Sequence, residues 1–226
     1  MSTMDLSVKE GVHVLTLTNH DNENTFTLDV MHEYISAFNV LDSYQGDTAL
    51  LITCEHEKTF STGINLEWLL AEDEIGKQEF SRLFNLVMYR LAMLSAPSVV
   101  CINGNAYAGA AILAAAADFR VMRADRGRFC LPEINIKMVF PPMIVDIINL
   151  LPNKHALKTM ALTGRAYTGL ECKEFDIVDS IYPTEELQQQ AFTLAQELSQ
   201  KDRTVYTTIR NSLRPDVARH GSALGL

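Results

Sequence analysis

The chain has 226 residues, 47% hydrophobic and 21% charged, which is enough for one substantial α/β domain and too apolar for a disordered chain. Its 19 basic and 28 acidic side chains give a net charge of −9, which argues against a nucleic-acid partner because phosphate-backbone binders carry a basic face. Four cysteines without a C-x-x-C pair favour free thiols in a reducing compartment.

The N-terminal part of the chain predicts an alternation of strands and helices. Residues 12–18 alternate apolar and polar side chains, as in a half-buried strand, and the apolar spacing over 28–41 predicts a helix. The almost wholly apolar run 49–54 predicts a buried strand. A polar stretch, 55–63, then leads to a short helix at 66–70.

The alternation continues with an amphipathic helix over 77–94 and a second buried strand at 98–102. The Ala-rich stretch 106–117 permits a tightly packed helix, and 119–122 and 128–130 predict short strands. In the C-terminal part, the pattern predicts a strand at 176–181 and helices at 142–150, 153–163, 168–174, 184–200 and 203–213. A polar tail follows the last helix.

Several function classes lack their residues. The pair His32–Glu33 has no second histidine at the spacing of a zinc protease, and Gly104 and Gly109 lack the Lys and Ser/Thr of a phosphate-binding loop. We therefore expect no metal. The longest apolar run is too short to cross a bilayer, and no signal segment begins the chain, so we expect a cytoplasmic protein without a membrane partner.

Two turns join a strand to a helix in a way that suits an anion or a polarised carbonyl. In 59–66 and in 102–109, a small residue, Gly63 or Gly109, stands where a helix begins and leaves backbone amides without intrahelical partners. Two such amides that converge on one oxygen would form an oxyanion hole. Either glycine could equally serve the geometry of its turn alone.

Glu133 is the candidate proton-transfer residue. It stands in an apolar run, F-C-L-P-E-I-N-I-K at 129–137, where partial desolvation would raise the pKa of its carboxyl group and make it a better proton acceptor. The alternative is an exposed glutamate that caps a helix or pairs with Lys137 or Arg128. The local sequence leaves both open.

Taken together, five segments resemble the crotonase, or enoyl-CoA hydratase/isomerase, superfamily. They are F-S-T-G-I-N-L at 60–66, I-N-G-N-A-Y-A-G at 102–109, A-D-F-R-V at 117–121, F-C-L-P-E-I at 129–134 and L-T-G-R-A-Y at 162–167. The resemblance implies an α/β fold, a spiral of ββα units over 1–180, with a helical C-terminal section over 181–226. It also implies a homotrimer or a dimer of trimers.

The resemblance also implies roles for individual residues. Backbone amides of Ile64 and Gly109 would form the oxyanion hole, and Glu133 would be the catalytic carboxylate. Hydratases of the family carry a further glutamate at a position where this chain has Ile112. The CoA thioester is the substrate, so no cofactor is implied. The substrate-binding stretch would comprise Phe60, Ser61, Thr62, Gly63, Asn65 and Leu66.

A single glutamate suits a 1,3-proton transfer better than the addition of water. The segments M-R-A-D-R-G at 122–127 and V-Y-T-T-I-R-N-S-L-R-P at 205–215 resemble the short plant peroxisomal Δ3,Δ2-enoyl-CoA isomerases, which implies an isomerase of 3-enoyl-CoA in unsaturated fatty acid β-oxidation. Alternatives are a decarboxylase, a thioester hydrolase or a non-catalytic acyl-CoA-binding member. The final Ala-Leu-Gly-Leu lacks a peroxisomal signal, so we expect a bacterial cytoplasmic enzyme.

Overall fold

The computed structural model describes residues 2–225. Met1 and Leu226, the outer limits of the predicted sections 1–180 and 181–226, lie outside the described residues, and that division stays a prediction. The strands are, in chain order, β1 (Met4–Lys9), β2 (Val12–Leu17), β3 (Ala49–Cys54), β4 (Thr59–Ser61), β5 (Ser98–Ile102), β6 (Asn105–Tyr107), β7 (Phe119–Arg123), β8 (Arg128–Cys130), β9 (Tyr167–Thr168) and β10 (Ser180–Tyr182).

Helices follow most of the strand pairs. They are α1 (Leu28–Ser43), α2 (Leu66–Ala71), α3 (Glu74–Ala92), α4 (Gly109–Ala116), α5 (Pro142–Ile148), α6 (Lys154–Thr163), α7 (Gly169–Glu174), α8 (Thr184–Ser199), α9 (Arg203–Ser212) and α10 (Pro215–Ala218). Short 3₁₀ turns occupy His20–Asn22, Glu133–Ile136 and Gly221–Leu224. Across residues 2–225, no helix combines the length and apolar character needed to span a bilayer.

The two sheets receive strands alternately, which produces the spiral. The larger has the order β1-β2-β3-β5-β7-β10, parallel from β2 onwards, and the smaller has the order β4-β6-β8-β9. Each turn of the chain adds one strand to each sheet, as β3 then β4, β5 then β6, and β7 then β8. The predicted spiral of ββα units is therefore confirmed.

Both faces of the larger sheet are covered, which explains its apolar strands. One face packs on α1, α3 and α4 in the main hydrophobic core, and all eight residues of α4 are buried, as the Ala-rich sequence predicted. The other face packs on α8 through Leu187, Ala191, Ala195 and Leu198. That second cluster ties a C-terminal helix directly to the sheet.

Three sequence predictions need correction. The polar stretch 55–63, in which the sequence predicted no strand, contains β4, because β6 pairs with it and its polar side chains are buried with partners: Ser61 Oγ donates to the Asn24 carbonyl at 2.8 Å. The strand predicted over 176–181 begins only at Ser180. Ile177 and Val178 are buried in a turn whose amides donate back to the Cys172 carbonyl. The polar tail contains α10 and a 3₁₀ turn.

The C-terminal end of α4 is held by buried arginines. Arg120 donates to the carbonyls of Ala114 and Ala117 at 3.2 and 3.0 Å, and Arg214 donates to the Ala116 carbonyl at 3.2 Å. Asp118, whose side chain is 4% exposed, pairs with Arg214 at 2.9 Å. The carbonyl groups at this end of the helix are thus hydrogen-bonded and the charges are balanced, with Asp118 Oδ1 held by the Arg214 ion pair and by no hydrogen bond among the described residues.

Candidate active site

Three neighbouring strands of the smaller sheet lead into the three segments that the sequence singled out. β4, β6 and β8 are parallel, with β6 in the middle, and they run into Gly63–Ile64, Ala108–Gly109 and Glu133 respectively. Because parallel strands end at the same edge of a sheet, the spiral brings these segments together from distant parts of the chain.

The two glycine turns touch each other. A Cβ atom added to Gly63, whose φ is +81°, would lie 2.7 Å from the Gly109 nitrogen and 2.7 Å from the Tyr107 carbonyl oxygen. Real Cβ atoms do not approach so closely, so only glycine permits this contact. A Cβ atom on Gly109 would in turn meet the ring of Phe84 at 3.2 Å. Gly63 therefore permits a close approach of two backbone segments, whereas Gly109 leaves room for the rings of Phe26 and Phe84.

One N–H group in each of these turns has no hydrogen-bond partner among the described residues. Within residues 2–225, neither the Ile64 nor the Gly109 N–H donates a hydrogen bond to another protein atom, although the neighbouring Asn65 N–H donates to the Phe26 carbonyl at 3.0 Å. Gly109 is the first residue of α4, so its N–H also lies at the positive end of that helix.

Ala108 has a strained backbone between β6 and α4. Its φ of 50° and ψ of −121° are unusual for a residue with a side chain, and such strain costs about 1–3 kcal/mol. The Ala108 N–H donates to the Cys130 carbonyl of β8 at 3.0 Å, which anchors the turn. The strain allows the chain to leave the sheet and start the helix at Gly109.

Glu133 begins the 3₁₀ turn that follows β8, and the structure buries it. It is 6% exposed, and its Oε2 atom has no hydrogen-bond partner among the described residues. Burial raises the pKa of its carboxyl group to about 7, partly opposed by a hydrogen bond to its own backbone N–H. Of the two alternatives that the sequence left open, the exposed, ion-paired glutamate is therefore wrong.

The motif around Gly164 supports the Glu133 turn. Gly164 ends α6 with a φ of +67°, and a Cβ atom there would collide with the side chain of Asn135. Its carbonyl also accepts a hydrogen bond from Cys130 Sγ at 3.3 Å. Glycine at this position lets α6 pack closely against the turn that carries Glu133.

A cavity of about 460 Å³ unites these features. Ile64, Gly109 and Glu133 all line it, and Ile112 lies on the first turn of α4 within it. Among the described residues, Glu133 is the sole carboxylate in the lining. Most of the remaining lining is apolar, with side chains from several elements: Leu66, Leu69, Phe80, Phe84, Ile136, Met138, Val139, Phe140 and Ile144.

Comparison with known proteins identifies the family. The sequence model of the enoyl-CoA hydratase/isomerase family matches residues 7–223. The chain belongs to that family. It is therefore a crotonase-type enzyme that acts on CoA thioesters.

Its relatives include both isomerases and hydratases. Enoyl-CoA delta isomerase 3 of Arabidopsis thaliana is 28% identical over 222 residues, covering 95% of this chain and 93% of the relative. A putative enoyl-CoA hydratase of Thermus thermophilus is 29% identical and covers 86% of this chain and 77% of that protein. Sequence similarity alone thus leaves the reaction of this member open.

Solved structures agree on the fold. Human mitochondrial delta3-delta2-enoyl-CoA isomerase superposes with a TM-score of 0.90 at 18% identity, covering 98% of this chain and 87% of that one. An enoyl-CoA hydratase from Bacillus anthracis superposes with a TM-score of 0.87 at 19% identity, covering 94% and 82%. At such identities the likeness shows the shared crotonase fold, which serves both reactions.

The predicted substrate-binding stretch divides into two groups. Thr62 and Leu66 line the cavity and also a shallow groove beside it, which Asn65 borders too. The Asn65 side chain caps α2 by accepting from the Trp68 N–H at 2.9 Å. Phe60 and Ser61 are fully buried and do not reach the cavity. Their contribution is to support the turn, since Ser61 Oγ accepts from the Gly63 N–H at 3.0 Å.

Sequence reasoning missed the contribution of α3. Phe80, Phe84 and Asn85 of this helix line the cavity, and Trp68 of α2 packs on Phe80 with ring centroids 5.3 Å apart. The helical periodicity over 77–94 predicted an amphipathic helix, but periodicity does not tell what the helix packs against. Tyr107, between the two glycines of its motif, also lines the cavity and had no predicted role.

Proposed function

We propose that the chain is a Δ3,Δ2-enoyl-CoA isomerase that moves a cis or trans 3-double bond to the trans-2 position. The observation that carries the proposal is a single buried carboxylate, Glu133, in a cavity with two free backbone amides. Ile112 supports it, because that position offers no second acid–base group to position or deprotonate a water molecule.

The proposed reaction needs one base and one oxyanion site. The Glu133 carboxylate takes a proton from C2 of the 3-enoyl thioester, and the electron pair of that C–H bond forms a double bond between C1 and C2 while the π pair of the carbonyl moves to the thioester oxygen. The Ile64 and Gly109 N–H groups would stabilise the negative charge on that oxygen in the dienolate. When the carbonyl re-forms, the C1–C2 pair becomes the C2–C3 double bond and the former C3–C4 pair takes the proton from Glu133 at C4, so no water, metal or cofactor takes part.

The raised pKa of Glu133 suits this role. A carboxyl group with a pKa of about 7 is a stronger base than an ordinary glutamate near 4.5, yet it is substantially ionised at neutral pH. Burial also keeps bulk water from quenching the dienolate. The named isomerases among the relatives add support from sequence.

The deciding experiment compares wild type, Glu133→Gln and the control Glu197→Gln on 3-hexenoyl-CoA, with products identified by mass spectrometry. Glu197 is exposed on α8, which packs on the opposite face of the larger sheet. We expect Glu133→Gln to lower kcat by at least about 100-fold and the control to leave it unchanged. Unchanged isomerisation in Glu133→Gln would exclude the mechanism, and 3-hydroxyacyl-CoA or free CoA as the main product would exclude the reaction.

The assembly and cellular setting of the enzyme are a further part of the proposal, which rests on the resemblance to the family. We propose a homotrimer or a dimer of trimers in a bacterial cytoplasm, acting in the β-oxidation of unsaturated fatty acids. Light scattering of the purified chain tests the assembly, because a monomer at micromolar concentration would contradict it.

A further inference from the structure

One wall of the cavity is a row of polar side chains on α3. Lys77, Ser81 and Asn85 are spaced by four residues, so they lie above one another on a single face of the helix. All three line the cavity that contains Glu133. The row faces a lining that is otherwise largely apolar, including Ile112 and Ile144.

Two side chains of this row have no hydrogen-bond partner in the protein. Within residues 2–225, Ser81 and Asn85 form no side-chain hydrogen bond with another residue; Ser81 is exposed and Asn85 is half-buried. An asparagine amide offers two donors and one acceptor oxygen. Lys77 differs, because its ammonium group is 3.0 Å from the Glu74 carboxylate and is already paired. The row therefore presents the neutral donors and acceptors of Ser81 and Asn85, beside one lysine whose charge is balanced by Glu74.

The row belongs to the part of the site that would hold the acyl group. The groove that extends from the cavity past Thr62, Asn65 and Leu66 does not include residues of α3. If the thioester carbonyl lies at the Ile64 and Gly109 amides and the CoA moiety follows that groove, the acyl group is the part that meets α3. This assignment rests on the proposed function.

A plain alkyl chain is a poor match for this wall. It would remove water from the Asn85 amide without replacing the lost hydrogen bonds, at a cost comparable to an unmade hydrogen bond. A hydroxyl group on the acyl chain both donates and accepts, and it would restore those bonds. Sites that hydrogen-bond a substrate group discriminate against the analogue without that group.

We propose that this enzyme selects acyl-CoA substrates whose acyl chain carries a hydroxyl group beyond the reacting carbons, and that Asn85 is the specificity-determining residue, with Ser81 beside it. Glu133 and the backbone amides act on the double bond, whereas α3 recognises the remote substituent. The two tasks are performed by different elements of the same cavity.

The test measures binding and does not depend on turnover. Dissociation constants are determined by calorimetry for octanoyl-CoA and for its derivatives with a hydroxyl group on the fifth, sixth, seventh or eighth carbon. The proteins are wild type, Asn85→Leu, which keeps the side-chain size, and Gln78→Leu, which makes the same kind of change at an exposed position of α3, two turns earlier, that does not line the cavity. Circular dichroism checks that each variant is folded.

We expect wild type to bind at least one hydroxylated derivative about tenfold more tightly than octanoyl-CoA. Asn85→Leu should abolish or reverse that preference, and Gln78→Leu should retain it. Equal or weaker binding of every hydroxylated derivative to wild type would overturn the inference, and so would a preference that survives in Asn85→Leu. Because these ligands carry no double bond, the result is independent of the Glu133→Gln assay that tests the isomerase reaction.

Discussion

The two ends of α4 are built in opposite ways. At its C-terminal end, the carbonyls of Ala114, Ala116 and Ala117 accept hydrogen bonds from buried arginines, and Asp118 balances their charge. At its N-terminal end, the Gly109 N–H and the nearby Glu133 Oε2 have no protein partner among residues 2–225. Because buried polar groups are normally paired and these unpaired groups line one cavity, the N-terminal end of α4 is the end at which we propose that the substrate binds.

This contrast separates groups that stabilise the fold from groups that are retained at a cost to stability. A paired buried network is destabilised when one member is removed. A protein with an unpaired buried carboxyl group can become more stable when that group is replaced by a neutral one, but the variant then loses activity. Removing a carboxylate should therefore lower the free energy of unfolding at the C-terminal end of the helix and raise it at the N-terminal end.

The largest expected effect is at the paired end. Asp118→Ala leaves the buried Arg214 guanidinium without its carboxylate and should lower the free energy of unfolding by about 3–5 kcal/mol in urea titrations. The control is Asp125→Ala, which removes an ion pair with Arg123 whose aspartate side chain is 58% exposed, and it should cost under about 1 kcal/mol. Equal losses in the two variants would contradict the contrast.

Removing the charge at the unpaired end should stabilise the protein at high pH. The folded-state pKa of Glu133, about 7, lies above its ordinary value of 4.5, so the folded protein favours the protonated carboxyl group. The stability that this group contributes is fully present below pH 4.5 and is lost as the pH rises through 7. At pH 8, the free energy of unfolding of Glu133→Gln should therefore exceed that of wild type by up to about 3 kcal/mol. Near pH 4 the difference should vanish.

Urea titrations at both pH values measure this difference, with Glu197→Gln as the control for an exposed glutamate. A Glu133→Gln protein that is less stable than wild type at pH 8 would show that the carboxylate is paired in solution. That outcome would remove the contrast between the two ends of the helix.

The contact between the two glycine turns should matter for turnover. Gly63→Ala places a Cβ atom 2.7 Å from the Gly109 nitrogen, so the amides must separate, and we expect kcat/KM to fall by about 10- to 100-fold. Gly46→Ala is the matched control, since Gly46 also has a positive φ, +103°, but no atom lies within 4 Å of the added Cβ. If both variants lose activity equally, backbone strain and not the contact explains the loss.

The smallest expected effect is the pH dependence of the wild-type reaction. Because the ionised carboxylate is the base, kcat/KM should rise with pH through an apparent pKa of about 7, roughly tenfold between pH 6 and the plateau. Initial rates on 3-hexenoyl-CoA from pH 5 to 9 measure the profile. A rate that is already constant above pH 5 would mean that Glu133 has an ordinary pKa in the free enzyme.

Sequence reasoning predicted the elements with strong periodicity and missed those without it. The strands at 49–54 and 98–102 and the helices α1 and α3 follow apolar patterns that are local, so their positions were predicted closely. β4 and β6, with three residues each, are too short for a pattern, and they exist because neighbouring strands pair with them. The site was predicted through its motifs, whereas the wall on α3 was not.

The sequence by itself determined the α/β alternation, the two glycine turns and one carboxylate in an apolar run, because backbone freedom and periodicity are properties of local residues. Only the tertiary structure decided that Gly63 and Gly109 touch, that Glu133 is buried without a partner, and that Asn85 faces the same cavity. Desolvation and convergence depend on every element packed around a group, and those elements come from distant parts of the chain. The end of α4 at which we propose that the substrate binds is therefore recognised only from the fold.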